Sequence, residues 1–134
     1  MGSGTEADAQ QQSAPGETFA PVRSSAELDL ALKAAGRPAM LDFYADWCVS
    51  CKEMEHLTFS DPRVRARLAQ LNLLRADVTA NNPDDQALLK RFKLFGPPGI
   101  IFFDAQGNEV VRVVGYVSAD TFLKSLDKLS APTT

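Results

Sequence analysis

Residues 39–52 read AMLDFYADWCVSCK and join an apolar run of strand length to two cysteines that are separated by two residues. The run from Ala39 to Ala45 is nearly continuous, which is typical of a central strand covered on both faces, and Asp42 is its one charge. Good helix formers follow Cys51. The segment therefore predicts a strand, a short turn and a helix that begins at the cysteines.

The chain contains only these two cysteines, Cys48 and Cys51. In the first turn of a helix, positions i and i+3 lie on one side, so the two sulfurs can reach disulfide distance with little backbone movement. The helix N-terminus favours a thiolate at Cys48, and we expect Cys51 to lie deeper and to resolve a mixed disulfide. The pattern predicts reversible dithiol chemistry.

Two other interpretations of the cysteine pair stay open. A structural zinc site needs four ligands, and His56, otherwise assigned to a helix surface, is the one obvious further candidate. A purely structural disulfide would close so short a loop that it would restrain the unfolded chain little. We expect no metal and no cofactor beyond the redox-active pair itself.

The predicted elements on either side of this segment alternate helices and strands. They are an edge strand at residues 19–22, a helix from Ser24 to Gly36, a helix capped at 60–62, a strand at 71–78, a helix with Leu88, Leu89, Phe92 and Phe95 on one side, strands at 100–103 and 109–116, and a last helix capped at Ser118. This order predicts an α/β fold, a mixed central sheet with helices on both faces, whose late hairpin adds an antiparallel edge.

The composition fits one globular domain. The chain has 134 residues, 45% of them hydrophobic and 23% charged, with a net charge of −3. Without a basic stripe we expect no nucleic-acid partner, and without a long apolar run we expect the domain itself to stay out of the membrane. Residues 1–18 are interpreted as a cloning-tag remnant and linker, 19–130 as the domain and 131–134 as a tail; a monomer is expected.

Residues 41–52 resemble the active-site segment of thioredoxins, and the region of Pro98 with the closing hairpin and helix fits the thioredoxin fold over about residues 19–130. Four segments resemble, more narrowly, the family of C-terminal periplasmic domains of the bacterial transmembrane reductase DsbD. They are YADWCVSCKE at 44–53, TFSDP at 58–62, ADVTAN at 76–81 and FFD at 102–104.

This resemblance implies an electron relay in the periplasm, within an inner-membrane protein involved in cytochrome c biogenesis. The domain would take two electrons from the membrane-embedded domain of its own protein and pass them to the N-terminal periplasmic domain, so its substrates are protein disulfides and dithiols. The resemblance also makes Trp47, Val49, Pro97 and Pro98 partner-binding residues, with Pro98 cis beside the cysteines. Pro97 departs from the family pattern, because it has no N–H to offer a docked partner.

The family resemblance implies that Asp42 and Glu55 act on the thiols, and they are the predicted tuning residues. Asp42 interrupts the apolar strand, and Glu55 lies four residues after Cys51 on the same helix face; a surface strand end and a solvated helix residue are the alternatives. A like charge about 6 Å from a thiolate, at an effective dielectric of 20, costs about 3 kcal/mol, or about two pKa units. This repulsion exceeds the stabilisation that a helix N-terminus usually gives to a thiolate, so we expect Asp42 and Glu55 to raise the thiol pKa of Cys48.

Two further functions compete with the relay. One is a free-standing thioredoxin-like disulfide reductase, and the other is a non-catalytic binding module that uses the same fold around an inert disulfide.

Overall fold

The computed structural model describes residues 18–130, within which five strands form one mixed sheet. The strands are β1 (Ala20–Pro21), β2 (Ala39–Tyr44), β3 (Asn72–Asp77), β4 (Gly99–Phe103) and β5 (Glu109–Val114), in the spatial order β1-β3-β2-β4-β5. β1 and β2 run parallel to β3, whereas β4 is antiparallel to β2 and to β5. The predicted α/β class and mixed sheet are confirmed. The predicted tail, and the predicted linker except Thr18, lie outside the described residues.

The helices begin and end where local side chains satisfy the backbone. They are α1 (Ser25–Ala35), α2 (Val49–Glu53), which continues as a π-helical segment (Met54–Phe59), α3 (Pro62–Leu68), α4 (Pro83–Arg91) and α5 (Ala119–Ser130). Ser24 accepts the N–H of Glu27 at 3.2 Å, and Gly36 ends α1 with a left-handed φ of 63°. Asp61 likewise caps α3 through the N–H of Arg63 at 2.8 Å.

Apolar side chains fill both faces of the sheet, because successive residues of a strand point to opposite sides. Leu41 and Phe43 pack with α1 and α4 on one face, and Met40 packs with α3 and α5 on the other. The first cluster also contains Cys48 and Cys51. Helices therefore cover both faces, and the cysteines lie at the edge of one of the two cores.

Two local predictions were wrong. Phe95 does not lie on α4, because that helix ends at Arg91 and Lys93 takes a left-handed φ of 58°; the Phe95 side chain is fully exposed. The helix after the cysteines is not α-helical throughout, since it widens into a π-helix at Met54, which residue propensities do not reveal.

The sheet places the cysteine turn and the loop before β4 at the same end of its strands. The carboxyl end of β2 leads directly into the turn before Cys48, and the first residue of β4, Gly99, lies in register opposite Phe43. The loop that precedes β4 and the cysteine helix therefore lie at the same end of the sheet. Within residues 18–130, no helix combines the length and apolar character needed to cross a membrane.

Candidate active site

Cys48 and Cys51 are joined by a disulfide, with their Cα atoms 5.3 Å apart. Cys48 is the N-cap of α2, and its Sγ accepts the backbone N–H of Cys51 at 3.1 Å. Cys51 Sγ lies 3.9 Å from the backbone oxygen of Phe43 on β2. The helix N-terminus thus stabilises negative charge at Cys48, while Cys51 faces the strand.

The two cysteines are buried to almost the same extent, although the sequence led us to expect Cys51 to lie deeper. Cys48 is 6% exposed and Cys51 is 4% exposed, so both are buried in the oxidised protein. The difference between them is one of polar surroundings, because only Cys48 Sγ receives an N–H from the first turn of the helix. A partner must therefore approach through the residues that flank the pair.

Trp47 and Val49 flank the pair and are exposed by 60% and 71%. The indole N–H of Trp47 donates to the backbone oxygen of Thr79 at 3.1 Å, and the N–H of Asp46 donates to the hydroxyl of Thr79 at 2.9 Å. Thr79 follows β3, so the cysteine turn is fastened to the neighbouring strand. These contacts hold Trp47 in place while leaving its ring open to solvent.

The Pro97–Pro98 peptide bond is cis, as predicted from the family resemblance. The backbone oxygen of Pro98 accepts the N–H of Gly115 at 3.1 Å, which ties the loop to the end of β5. Since Gly99 is paired with Phe43, this loop lies at the end of the sheet where β2 leads into the cysteine turn.

Asp42 is buried, as predicted, but it is not unpaired. Arg75 on β3 lies in register beside it and donates from Nε at 3.1 Å and from Nη2 at 2.8 Å to Asp42 Oδ2. The same Nη2 atom lies 2.8 Å from Glu55 Oε2. Both predicted tuning residues therefore meet at one guanidinium that sequence reasoning missed, although a basic residue inside an apolar strand, Arg75, was a signal for a partner of Asp42.

The pKa of Asp42 is raised from 3.8 to about 6. Burial is the largest cause and the charge of Glu55 adds to it, while the charge and hydrogen bonds of Arg75 oppose the rise. Asp42 consequently changes its ionisation close to neutral pH. Perturbed carboxylates of this kind are concentrated at functional sites.

The π-helical segment is anchored at its far side. Thr58, fully buried, donates its hydroxyl to the backbone oxygen of Val117 at 2.6 Å, and the N–H of Val117 contacts Met54 Sδ at 3.4 Å. Both contacts reach the residues that precede α5. They fix the turn of helix on which Glu55 lies.

The remaining flanking residues are solvated. Lys52 is exposed, and its ammonium group donates to the hydroxyl oxygen of Tyr44 at 2.9 Å, which raises the pKa of Lys52. His56 is exposed, and within residues 18–130 no group of three or more His, Cys, Asp or Glu side chains is arranged to hold a metal ion.

Comparisons with known proteins agree with this geometry. Residues 27–130 match the family described as a thioredoxin-like domain. The chain is 66% identical over 120 residues to the thiol:disulfide interchange protein DsbD of Ralstonia nicotianae, covering 87% of this chain and 20% of that protein. It thus spans about a fifth of the length of the curated relatives it matches.

Solved structures of DsbD C-terminal domains are also similar to this chain. The C-terminal domain of Neisseria meningitidis DsbD is 40% identical in its reduced form, with a TM-score of 0.69, covering 79% of this chain and 96% of that one. Its oxidised form is 39% identical, with a TM-score of 0.70, covering 84% and 98%.

A thioredoxin fold with a cysteine pair at the start of its active-site helix defines a thiol-disulfide oxidoreductase. Within that class the chain belongs to the family of DsbD C-terminal domains.

Proposed function

We propose that this domain relays two electrons between two other domains of one parent protein. It accepts them from a membrane-embedded reductase domain and passes them to an N-terminal domain in the periplasm. The relatives named thiol:disulfide interchange protein DsbD are about five times longer than the matched region, which leaves room for both domains. The observation that carries the proposal is Cys48 Sγ at the helix N-terminus, 3.1 Å from the N–H of Cys51.

The transfer to the partner takes two exchange steps. The thiolate of Cys48 attacks one sulfur of the partner disulfide, whose S–S bond breaks, and the other partner sulfur leaves as a thiolate and takes a proton. Cys51 then loses its proton and attacks Cys48 Sγ, which breaks the mixed disulfide and releases the second partner thiol. The partner has gained two electrons and two protons, and the domain retains the Cys48–Cys51 disulfide.

Docking in this proposal uses the exposed residues around the pair. Trp47 and Val49 offer apolar surface on one side, and Pro97 and Pro98 form the other side at the same edge of the sheet. In this proposal Asp42 and Glu55 tune the thiols. Asp42 precedes Phe43, whose backbone oxygen lies 3.9 Å from Cys51 Sγ, and Glu55 lies one helical turn beyond Cys51. A raised thiol pKa makes the isolated domain slow to react with unrelated disulfides.

Trapping tests the relay. The Cys51→Ser variant lacks the resolving thiol, so we expect it to form a stable mixed disulfide with the purified N-terminal domain of the same parent protein. Cys48→Ser is the matched control and should capture little. Non-reducing gel electrophoresis and mass spectrometry of the adduct measure both results.

The competing functions give other outcomes. Equal capture of unrelated disulfide proteins would favour a free-standing reductase. A pair that dithiothreitol cannot reduce, with no capture by Cys51→Ser, would favour a binding module and overturn the relay.

A further inference from the structure

Arg75 is held between two carboxylates and two aromatic rings. Its Cζ atom lies 4.4 Å from the ring centre of Phe19 and 4.6 Å from that of Tyr44. Its guanidinium edge meets Asp42 and Glu55, each at 2.8 Å from Nη2. Such a planar cation fits stacking and carboxylate pairing at once, which an ammonium group cannot reproduce.

The cluster is protected from solvent. The side chains of Asp42, Arg75 and Glu55 are exposed by 7%, 22% and 24%. Charges in such surroundings interact more strongly than at the surface and are screened less by salt. The ionisation of Asp42 is therefore coupled to the charges of Arg75 and Glu55.

Two backbone connections link the cluster to the cysteine pair. Asp42 precedes Phe43, whose oxygen contacts Cys51 Sγ at 3.9 Å, and Glu55 lies one helical turn beyond Cys51. Lys52 is a further cation at this cluster, because its ammonium group donates to the hydroxyl oxygen of Tyr44, whose ring packs on Arg75. With both carboxylates ionised, Arg75 reduces the net charge of the cluster from two negative units to one.

We propose that Arg75 is a positioning residue of the thiol-disulfide site, which fixes Asp42 and Glu55 as one cluster beside Cys51 and compensates half of their charge. The proposal rests on the tuning role given above to the two carboxylates. It predicts that Arg75 keeps Asp42 ionised at neutral pH. It also predicts that Arg75 limits how strongly the two carboxylates disfavour the thiolate of Cys48.

Three single variants test this role: Arg75→Gln, Arg75→Lys and, as a matched control, Arg91→Gln. Arg91 also pairs with a carboxylate, that of Asp29 at 2.8 Å, and stacks on Phe92 with Cζ 5.3 Å from the ring centre. Two readouts are needed. Carbon-13 NMR follows the carboxyl group of Asp42 in the oxidised protein, and alkylation of the reduced protein with iodoacetamide follows the thiolate of Cys48 against pH.

In Arg75→Gln we expect the midpoint of Asp42 to rise by about one pH unit or more. The apparent pKa of alkylation should rise by a similar amount, because the charges of the two carboxylates are then uncompensated at alkaline pH. Arg75→Lys should move both in the same direction but less, which keeps the test valid if the Gln variant does not fold. Arg91→Gln should change neither.

Two results would overturn the proposal. If Asp42 shifts while the alkylation profile stays that of the wild type, Arg75 is an ion-pair partner with no effect on the cysteines. If Asp42→Asn with Glu55→Gln also leaves alkylation unchanged, the tuning role fails together with this inference. The relay itself is judged separately by capture with Cys51→Ser.

Discussion

The backbone N–H of Cys51 donates to Sγ of Cys48 at 3.1 Å, so the first cysteine caps the helix that contains the second. This contact predicts that Cys48 is the attacking thiol, because the helix N-terminus favours its thiolate. Limited alkylation of the reduced protein, followed by peptide mapping, should label Cys48 before Cys51. Preferential labelling of Cys51 would reverse the two roles.

The stability of the oxidised domain should depend on pH through Asp42. Burial raises its pKa from 3.8 to about 6, so between these values the folded state holds a proton that the unfolded state has lost. The resulting stabilisation is fully present below the unfolded pKa and is lost as pH rises through about 6, a change of about 3 kcal/mol. The Asp42→Asn side chain cannot ionise, so the variant does not lose this stabilisation as the pH rises. The difference in unfolding free energy, variant minus wild type, should therefore increase by up to about 3 kcal/mol between about pH 4 and pH 7.

Urea unfolding at several pH values measures this difference. Asp29→Asn is the control, because Asp29 also pairs with an arginine but is largely exposed. Parallel pH curves for wild type and Asp42→Asn would contradict the prediction.

Removing both carboxylates should lower the thiol pKa of Cys48. Asp42→Asn combined with Glu55→Gln eliminates two negative charges and leaves the charge of Arg75 unopposed, so we expect a decrease of about one to two units. The thiol pKa in each single variant should lie between those of the wild type and the double variant. Because the two carboxylates are coupled, the two decreases cannot be assigned to one residue each. A pH titration of alkylation measures the change; an equal or higher pKa in the double variant would end the idea that the carboxylates repel the thiolate.

Two phenylalanines near the end of α4 should differ sharply in their effect on stability. Phe92 is buried and packs edge-on against Phe43 and Phe103 at 5.9 and 6.0 Å between ring centres, so Phe92→Ala should cost about 3 to 5 kcal/mol. Phe95 is fully exposed, and Phe95→Ala should change stability by less than about 0.5 kcal/mol. Urea unfolding compares them, and similar losses for both would restore Phe95 to the core.

Much of the site was predictable because its chemistry is local. The strand, the turn and the cysteine spacing are adjacent in the sequence, and residues 39–52 carry them together. Asp42 was identifiable as a buried charge because its neighbours are apolar. The partner-binding roles of Trp47 and Pro98 remain predictions.

What was missed depends on contacts between distant residues. Arg75 pairs with Asp42 only in the observed register of β2 and β3, and a shift by one residue would have placed it on the other face. Phe95 has helical spacing from Phe92, yet the left-handed backbone at Lys93 prevents that spacing from continuing. The π-helical segment depends on Thr58 and Met54 reaching Val117, more than fifty residues away.

Strand order also has a consequence for biosynthesis. β2, which leads into the cysteines, is flanked by β3 and β4, and both are made after it on the ribosome. Until Gly99–Phe103 has been translated, β2 has an open edge and the core around Cys48 and Cys51 is incomplete. A nascent chain that stalls before Gly99 would therefore carry its thiols in an incomplete core, less protected from oxidants and thiol-modifying enzymes than they are once β4 has paired with β2.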